Sequence, residues 1–320
     1  MKIIGVVTSG GDAPGMNAAI RAVTRLAYVE GFHVLGFERG WEGLINNRFR
    51  LLTPRSVGGI IQLGGTILLT SRCPEFKTRE GIKKAADNLA ANNVDGLVVI
   101  GGDGSFRGAL ELSHETDALI VGVPATIDND VYGVDETIGF DTAVNTAVAE
   151  IDKIRDTAIS HERVFVVEVM GRRRGFLALT IGLTVGAEVI LVPEVPINME
   201  DVFRTVKENA AKGKRSGIIV AAEGVGDTRK IAEEIEANTG AEVRLSIVGY
   251  AQRGGSPTAR SRLLASLFAN EAISLLASGI GNCVVGLQKG EIKSISLKEA
   301  CSKEKPLETR LLGLAKTLST

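Results

Sequence analysis

The sequence predicts an α/β fold made of two doubly wound domains. Short Val- and Ile-rich runs alternate with longer amphipathic stretches along the whole chain. That order gives βαβ units and a parallel sheet. The runs are nearly continuous in apolar residues, as in Gly96-Leu97-Val98-Val99-Ile100, which marks strands buried on both faces. At 320 residues the chain also exceeds one ordinary core. Each domain is therefore expected to be Rossmann-like, a mainly parallel sheet flanked by helices.

The elements follow in order. A strand is expected over Ile3–Thr8, then a helix over Gly15–Glu30 with Pro14 near its start, where proline is favoured. A helical pattern at Gly81–Asn92 precedes strands at Gly96–Ile100 and Leu119–Val123. A helix at Thr142–Thr157 leads to strands at Val164–Val169 and Val189–Val192. Helices at Asp201–Lys212 and Arg229–Asn238 flank a strand at Gly217–Ala222. A long helix at Ala259–Ala277 and a strand at Cys283–Leu287 complete the series. No fixed-period repeat, low-complexity segment or linker interrupts it, so a domain boundary falls between ordinary elements.

Composition excludes several function classes. A formal net charge of −1 creates no field that would gather nucleic acid or an anionic membrane. Anionic ligands must then be held by locally gathered Arg and Lys. No apolar run approaches the length of a membrane span. Met1-Lys2-Ile3-Ile4-Gly5 enters a strand directly, with no signal peptide visible. Cys73, Cys283 and Cys301 lie far apart without a CxxC, which fits a reducing cytoplasm and no structural disulfide or zinc.

The chemistry-bearing segments sit where apolar runs end. Ligands of open parallel sheets bind outside the carboxyl ends of strands. Ile100-Gly101-Gly102-Asp103-Gly104-Ser105 closes one run, and Pro124-Ala125-Thr126-Ile127-Asp128-Asn129-Asp130 closes another. Glycines let the backbone approach a phosphate, and a lone carboxylate beside them suits Mg²⁺ shared with substrate phosphates. Asp128 and Asp130 share one side of an extended segment and can supply a base for a hydroxyl nucleophile. Together the segments point to phosphoryl transfer. The loop Thr8-Ser9-Gly10-Gly11-Asp12-Ala13-Pro14-Gly15 leads into a helix N-terminus, a ready anion site, although a plain βα turn would read the same. Neither GxGxxG nor GxxxxGK[ST] is present.

Arg72, Arg163, Arg172, Arg244 and Arg253 each lie beside a strand end or glycine turn. Arg offers a planar fork for phosphate. Any one of them could be a solvated surface residue; the repetition favours ligand binding. Arg21 and Arg25, spaced i, i+4, repel each other, and Lys212, Lys214 and Arg215 cluster further on. From the residues alone both groups read as solvated faces. His33, His114 and His161 form no metal spacing, and Trp41 reads as packing.

With these segments in place, the chain resembles the bacterial ATP-dependent phosphofructokinase family. TSGGDAPGMNAA, GGTILLTSRCPEF, VVIGGDGS, ATIDND, TIGFDTA, IDKIRDTA, SHER, EVMGR, AEGV and QRGGSPTA match its blocks in order. The resemblance implies transfer of the ATP γ-phosphoryl group to the 1-hydroxyl of fructose 6-phosphate, in glycolysis and in the cytoplasm. It implies Asp128 as base, Arg172 on the transferring group, Thr126 orienting, Asp130 supporting the loop and Asp103 holding Mg²⁺. Gly11, Arg72, Cys73, Gly102, Asp103, Gly104 and Ser105 would contact ATP. Thr126, Ile127, Asp128, Arg163, Met170, Gly171, Arg172, Glu223, Arg244, Tyr250 and Arg253 would hold the sugar phosphate. The implied nucleotide domain is residues 1–138 plus 251–300, and the sugar-phosphate domain 139–250 plus 301–320. A homotetramer follows, with Arg163 and Arg244 reaching a neighbouring subunit's substrate. An effector site for ADP or phosphoenolpyruvate would use Arg21, Arg25, Arg155, Gly186, Glu188, Lys212 and Lys214.

Departures from the family pattern are Tyr250 where His is usual, Pro54-Arg55 where an effector-site Arg is displaced, and Phe176 and Ser261 in place of common aspartates. A pyrophosphate-dependent relative would carry Asp at 104 and Lys at 125; Gly104 and Ala125 stand there and favour ATP. A lipid or NAD kinase sharing GGDG leaves TIDND and QRGG unexplained. A non-catalytic nucleotide sensor would not need Asp103, Asp128 and Arg172 together.

Overall fold

The computed structural model describes residues 2–319. Met1 and Thr320, the outer ends of the expected domains, lie outside the described residues. The chain forms two compact units. The first runs to Thr142 and resumes over Arg253–Lys305, and the second is Ala143–Gln252 with the segment from Pro306 onward.

The first unit opens with β1 (Ile3–Thr8), α1 (Met16–Val29), β2 (His33–Phe37), α2 (Trp41–Ile45) and β3 (Phe49–Leu52). It continues through α3 (Arg79–Ala91), β4 (Val94–Gly101), α4 (Asp103–Leu112), β5 (Leu119–Thr126) and the short β6 (Ile138–Gly139). α5 (Phe140–His161) carries the chain into the second unit. There follow β7 (Val164–Val169), α6 (Phe176–Thr184), β8 (Val189–Leu191), α7 (Met199–Ala211), β9 (Gly217–Ala222), α8 (Thr228–Thr239) and β10 (Val243–Ile247). The first unit resumes with α9 (Ala259–Ala277), β11 (Cys283–Gln288), β12 (Glu291–Ser296) and α10 (Leu297–Ser302); α11 (Arg310–Leu318) belongs to the second.

The larger sheet has the order β12-β11-β5-β4-β1-β2-β3, with β6 beside β5. Its centre is parallel, and only the edge strands β3 and β12 run antiparallel to their neighbours. The smaller sheet, β10-β7-β9-β8, is parallel throughout. The central strands are the continuous apolar runs: Val6, Val7, Leu97, Val98, Val99, Ile100, Ile120, Val121, Val166, Val167, Ile218 and Val220 are all buried. Helices cover both faces of such sheets, so neither side of the strands can carry water-facing residues. Side chains close several helix starts, with Thr78, Asn198, Asp227 and Thr258 each accepting a first-turn N–H. Among the described residues no helix is long and apolar enough to cross a membrane.

Several elements lie outside the sequence expectation, each for a physical reason. α6, Phe176-Leu177-Ala178-Leu179-Thr180-Ile181-Gly182-Leu183-Thr184, is apolar nearly all round and shows no stripe. β12 sits at a sheet edge and is largely exposed, so it lacks an apolar run. α4 begins inside Gly102-Asp103-Gly104-Ser105, residue types that favour caps and turns over helix interiors.

Candidate active site

In the larger sheet the chain leaves β1 for β2 on one side and returns to β4 on the other. The strand order reverses there, and this crevice is where open α/β sheets take ligands. The carboxyl ends of β1 and β4 are Thr8 and Gly101, the starts of the two glycine loops. Ser9 N–H donates to the Ile100 carbonyl at 3.0 Å, and Ser105 Oγ donates to the Ser9 carbonyl at 2.9 Å. The two loops are thus tied together below the surface they present.

α4 starts at Asp103 immediately after β4; the Ser105 N–H already bonds the Gly102 carbonyl at 2.9 Å, which leaves the N–H groups ahead of it, Asp103 and Gly104, beyond the reach of the helix's own carbonyls. Such an end attracts anions. A Cβ added at Gly104 would meet nothing within 4 Å. The space beside it is therefore open to a ligand, and the protein's own packing does not require a glycine there. Gly11 differs: a Cβ would fall 2.8 Å from Arg253 Nη1. Arg253 thus lies over the first loop, with Nη1 3.9 Å from Asp12 Oδ1. The resemblance implies a sugar-phosphate role for Arg253; the structure places its guanidinium beside the first glycine loop. Arg72 is exposed on the same unit, while Cys73 packs against the core beneath. Trp41 is packing, as expected, stacked on Phe76 at 4.2 Å.

Asp103 is one half-exposed carboxylate, bonded at 2.9 Å by Arg107 Nε one turn on. Among the described residues no group of three or more His, Cys, Asp and Glu could hold a metal ion. The described residues therefore offer no cage, but a single carboxylate beside an anion site suits a hard cation that arrives with phosphates. Burial pushes the Cys283 and Cys301 thiols up to about 11, which keeps both protonated and unreactive.

The Thr126–Asp130 segment leaves β5 next to this crevice, because β5 pairs with β4 in register Gly101↔Pro124. Asp128 is buried, and its N–H donates to Thr126 Oγ1 at 3.2 Å. Asn129 adopts φ 53°, a left-handed conformation that costs energy for a non-glycine residue unless its surroundings enforce it. They do: Asn129 Oδ1 accepts from Thr137 N–H at 3.1 Å and Asn129 Nδ2 donates to the Asp135 carbonyl at 3.2 Å. Thr137 Oγ1 donates to the Thr126 carbonyl at 2.6 Å, and β5 pairs with β6 just beyond. Two carboxylates are thereby displayed on a loop closed at its base.

In the second unit, Met170, Gly171 and Arg172 follow β7, and Glu223 follows the neighbouring β9. Glu223 Oε1 accepts from Gly171 N–H at 3.2 Å and Arg172 N–H at 2.5 Å, and Gln252 Oε1 accepts from Met170 N–H at 2.8 Å. Arg172, like Asn129, has a positive φ, 54°. Tyr250 is exposed after β10.

Arg163 and Arg244 lie elsewhere. The sequence reading placed them beside strand ends without distinguishing which end. Arg163 precedes β7 and Arg244 sits at the start of β10, so both are at the amino end of the smaller sheet, opposite Met170–Arg172. Both pair with Glu242, Arg163 Nε at 2.8 Å from Oε1. The Arg163 guanidinium beside Glu242 holds that carboxyl below its ordinary range. Of the expected effector residues, Arg155 donates to the Val185 carbonyl beside Gly186, and Lys214 Nζ lies 2.6 Å from buried Glu188. A cavity of about 250 Å³ at this end is lined by Glu188, Lys214, Arg215, Glu162 and Glu242. Lys212 is exposed at the end of α7. Arg21 and Arg25 belong to the first unit, Arg25 reaching the Pro54 carbonyl at 3.5 Å.

Sequence reasoning missed Asn129, Glu242 and Lys305. Asn129 lies inside a motif whose chemistry is carried by its carboxylates. Glu242 and Lys305 have no local signal, since their partners are brought to them only by the sheets.

Residues 3–276 match the family model described as Phosphofructokinase. The chain is 52% identical to the ATP-dependent 6-phosphofructokinase 1 of Thermus thermophilus and 51% identical to the ATP-dependent 6-phosphofructokinase of Halothermothrix orenii, each match covering 100% of both chains. Among solved structures it superposes on phosphofructokinase from Saccharomyces cerevisiae with a TM-score of 0.87 and 34% identity, covering 99% of this chain and 46% of the yeast chain. The chain thus spans about half of that larger relative. A pyrophosphate-dependent phosphofructokinase from Marinobacter aquaeolei shares the fold, with a TM-score of 0.86 at 21% identity.

Proposed function

This chain belongs to the phosphofructokinase family, and on that premise we propose that it transfers the γ-phosphoryl group of ATP to the 1-hydroxyl of fructose 6-phosphate, giving fructose 1,6-bisphosphate and ADP. The observation that carries this reading is the pair of loops at the reversal of the larger sheet. An anion-binding helix end with open space at Gly104 lies beside a buried carboxylate, Asp128, on a braced loop.

The first unit supplies the donor site and the base. The backbone opening α4, from Gly102 to Ser105, and the Gly11 loop hold the nucleotide phosphates, with Arg72 and Cys73 at their edge, while Arg253 holds the sugar phosphate. Asp103 would hold Mg²⁺ together with those phosphates; bound there, the ion neutralises charge on the phosphate oxygens. Asp128 takes the proton of the sugar's 1-hydroxyl as that oxygen bonds to phosphorus and the bond to ADP breaks. Thr126 and Ile127 orient the reacting groups, and Asp130 supports the loop.

The second unit supplies acceptor groups. Met170 and Gly171 present backbone to the sugar, Glu223 fixes them, Tyr250 donates to the phosphate, and Arg172 stabilises charge on the transferring group. The position of Arg163 and Arg244 at the far end of the smaller sheet supports a homotetramer in which they reach the 6-phosphate of a neighbouring subunit's substrate. Arg21, Arg25, Arg155, Gly186, Glu188, Lys212 and Lys214 would then hold ADP or phosphoenolpyruvate as an effector. Free Cys73, Cys283 and Cys301 accord with a cytoplasmic location.

Incubation with fructose 6-phosphate and either ATP or pyrophosphate tests the reaction, with the product identified by ³¹P NMR. Fructose 1,6-bisphosphate and ADP from ATP are expected, with negligible product from pyrophosphate. Product from pyrophosphate alone would overturn the donor assignment.

A further inference from the structure

The segment Lys303–Lys305 after α10 lies against the loop that carries Asp128, some 175 residues earlier in the chain. Lys305 Nζ donates to the Asp135 carbonyl at 3.0 Å. That same oxygen accepts from Asn129 Nδ2 at 3.2 Å, and Asn129 is the left-handed residue set between Asp128 and Asp130. Two residues earlier, Lys303 Nζ stands 5.1 Å from the centre of the Tyr132 ring and 2.8 Å from Glu299 Oε1. Asp135 itself is held from a third direction, by its N–H on the Leu287 carbonyl at 2.7 Å and by Lys289 N–H on its carboxylate at 2.5 Å.

We propose that Lys305 is a positioning residue for the transfer reaction, its ammonium fixing the Ile127–Thr137 loop through Asp135 and Asn129 and facing the Asp130 carboxylate. Lys303 seconds it at Tyr132. The proposal rests on the assignment of Asp128 as base. Nothing in the reaction requires Lys305 to touch substrate. It acts by holding a strained turn whose relaxation would displace the base, and a displacement of about 1 Å can cost roughly 10²-fold in rate.

The charged groups around the ammonium are Asp130, Asp135 and Glu136 of the loop. Glu136 is itself held by Arg260 of α9, at 2.8 Å, with Asp141 nearby. Lys289 meets Asp135 through its backbone, and Lys303 is paired with Glu299. Burial pushes the Lys305 ammonium down to about 8 against the pull of Asp135, Asp130 and Glu136. The charge facing Asp130 is then half lost near pH 8, being complete well below that pH and gone well above it. Stability moves the opposite way. Between about 8 and the ordinary 10.5 the unfolded chain binds more protons at this group than the folded chain, so its contribution to stability rises with pH. A positioning role therefore separates activity, which falls in that window, from stability, which rises there as the cost of burying the charged ammonium is relieved.

Lys305→Met and Lys305→Arg in the full-length chain test this, with kcat, both KM values and melting temperature followed from about pH 6.5 to 9.5. Lys305→Met is expected to lower kcat about tenfold at neutral pH, leave the KM for ATP unchanged, and abolish the alkaline fall in kcat near pH 8. Lys305→Arg is expected to restore kcat and carry the alkaline fall to higher pH. A kcat for Lys305→Met within twofold of the parent, or an unchanged alkaline fall, overturns the proposal. So does a loss of activity that tracks only the fraction unfolded. Asp128→Asn measured alongside separates the two levels. Near-normal turnover there means the base is misassigned, whereas an inactive Asp128→Asn beside a normal Lys305→Met means that only the positioning role is wrong.

Discussion

The crevice of the larger sheet and the amino end of the smaller sheet both suit anions, but they are built from different materials. The crevice is made of backbone: glycine loops tied by Ser9 and Ser105, a helix start at Asp103, and open space at Gly104. The amino end of the smaller sheet is made of side-chain charge already paired within the chain. Arg163 and Arg244 share Glu242, and Lys214 holds Glu188. A backbone site is set before its ligand arrives, so it suits a reaction in which donor phosphates must not move. A site of paired charges must exchange partners to bind. It suits ligands whose affinity is adjusted, since a ligand shifts a population only by its differential affinity for the two states.

The sharpest way to break this contrast lies in the crevice. Asp128→Ser should lower kcat by roughly 10²–10⁴, with both KM values near normal, in a coupled assay of ADP release. A variant with near-parental kcat would remove the base from the account. Gly104→Asp comes next. Because a Cβ there meets nothing, melting temperature should hardly change, while a carboxylate among the phosphates should abolish use of ATP. Retained ATP affinity would show that the open space is not the donor site.

The sequence made the crevice legible and the paired-charge region much less so. GGDGS and TIDND end buried strands, and both the strand and the chemistry are written in consecutive residues. For Arg163 and Arg244 the sequence says less, because nearness to a strand end does not say which end it is. Only the parallel register, Val243 beside Val164, places both arginines together at the amino end with Glu242. Asn129 and Lys305 show the same limit inside the crevice: the motif names the carboxylates, while the groups that hold them depend on contacts across the fold. α4 was hidden because its first residues are loop formers chosen for a helix start.

Smaller effects probe the paired charges. Arg163→Ala and Arg244→Ala should each lose about 1.5–3 kcal/mol of phosphate binding, a rise of roughly 10- to 150-fold in the KM for fructose 6-phosphate with little change for ATP. Steady-state kinetics with each substrate varied would check this, and a rise for ATP alone would contradict it. Smallest of all, Arg25→Ala should leave saturated turnover nearly intact and remove any shift that ADP or phosphoenolpyruvate causes in the fructose 6-phosphate saturation curve. A full effector response in that variant would return Arg21 and Arg25 to the solvated helix face.

Hydrogen exchange of backbone amides tests the contrast most directly, with a non-hydrolysable ATP analogue plus Mg²⁺ added in one sample and fructose 6-phosphate in another. The nucleotide should protect residues 9–12 and 102–106. The sugar phosphate alone should protect residues 170–172 and the segments around 163 and 244 while leaving 102–106 unchanged. Protection of 102–106 by fructose 6-phosphate alone, or of 163 and 244 by the nucleotide alone, would contradict it.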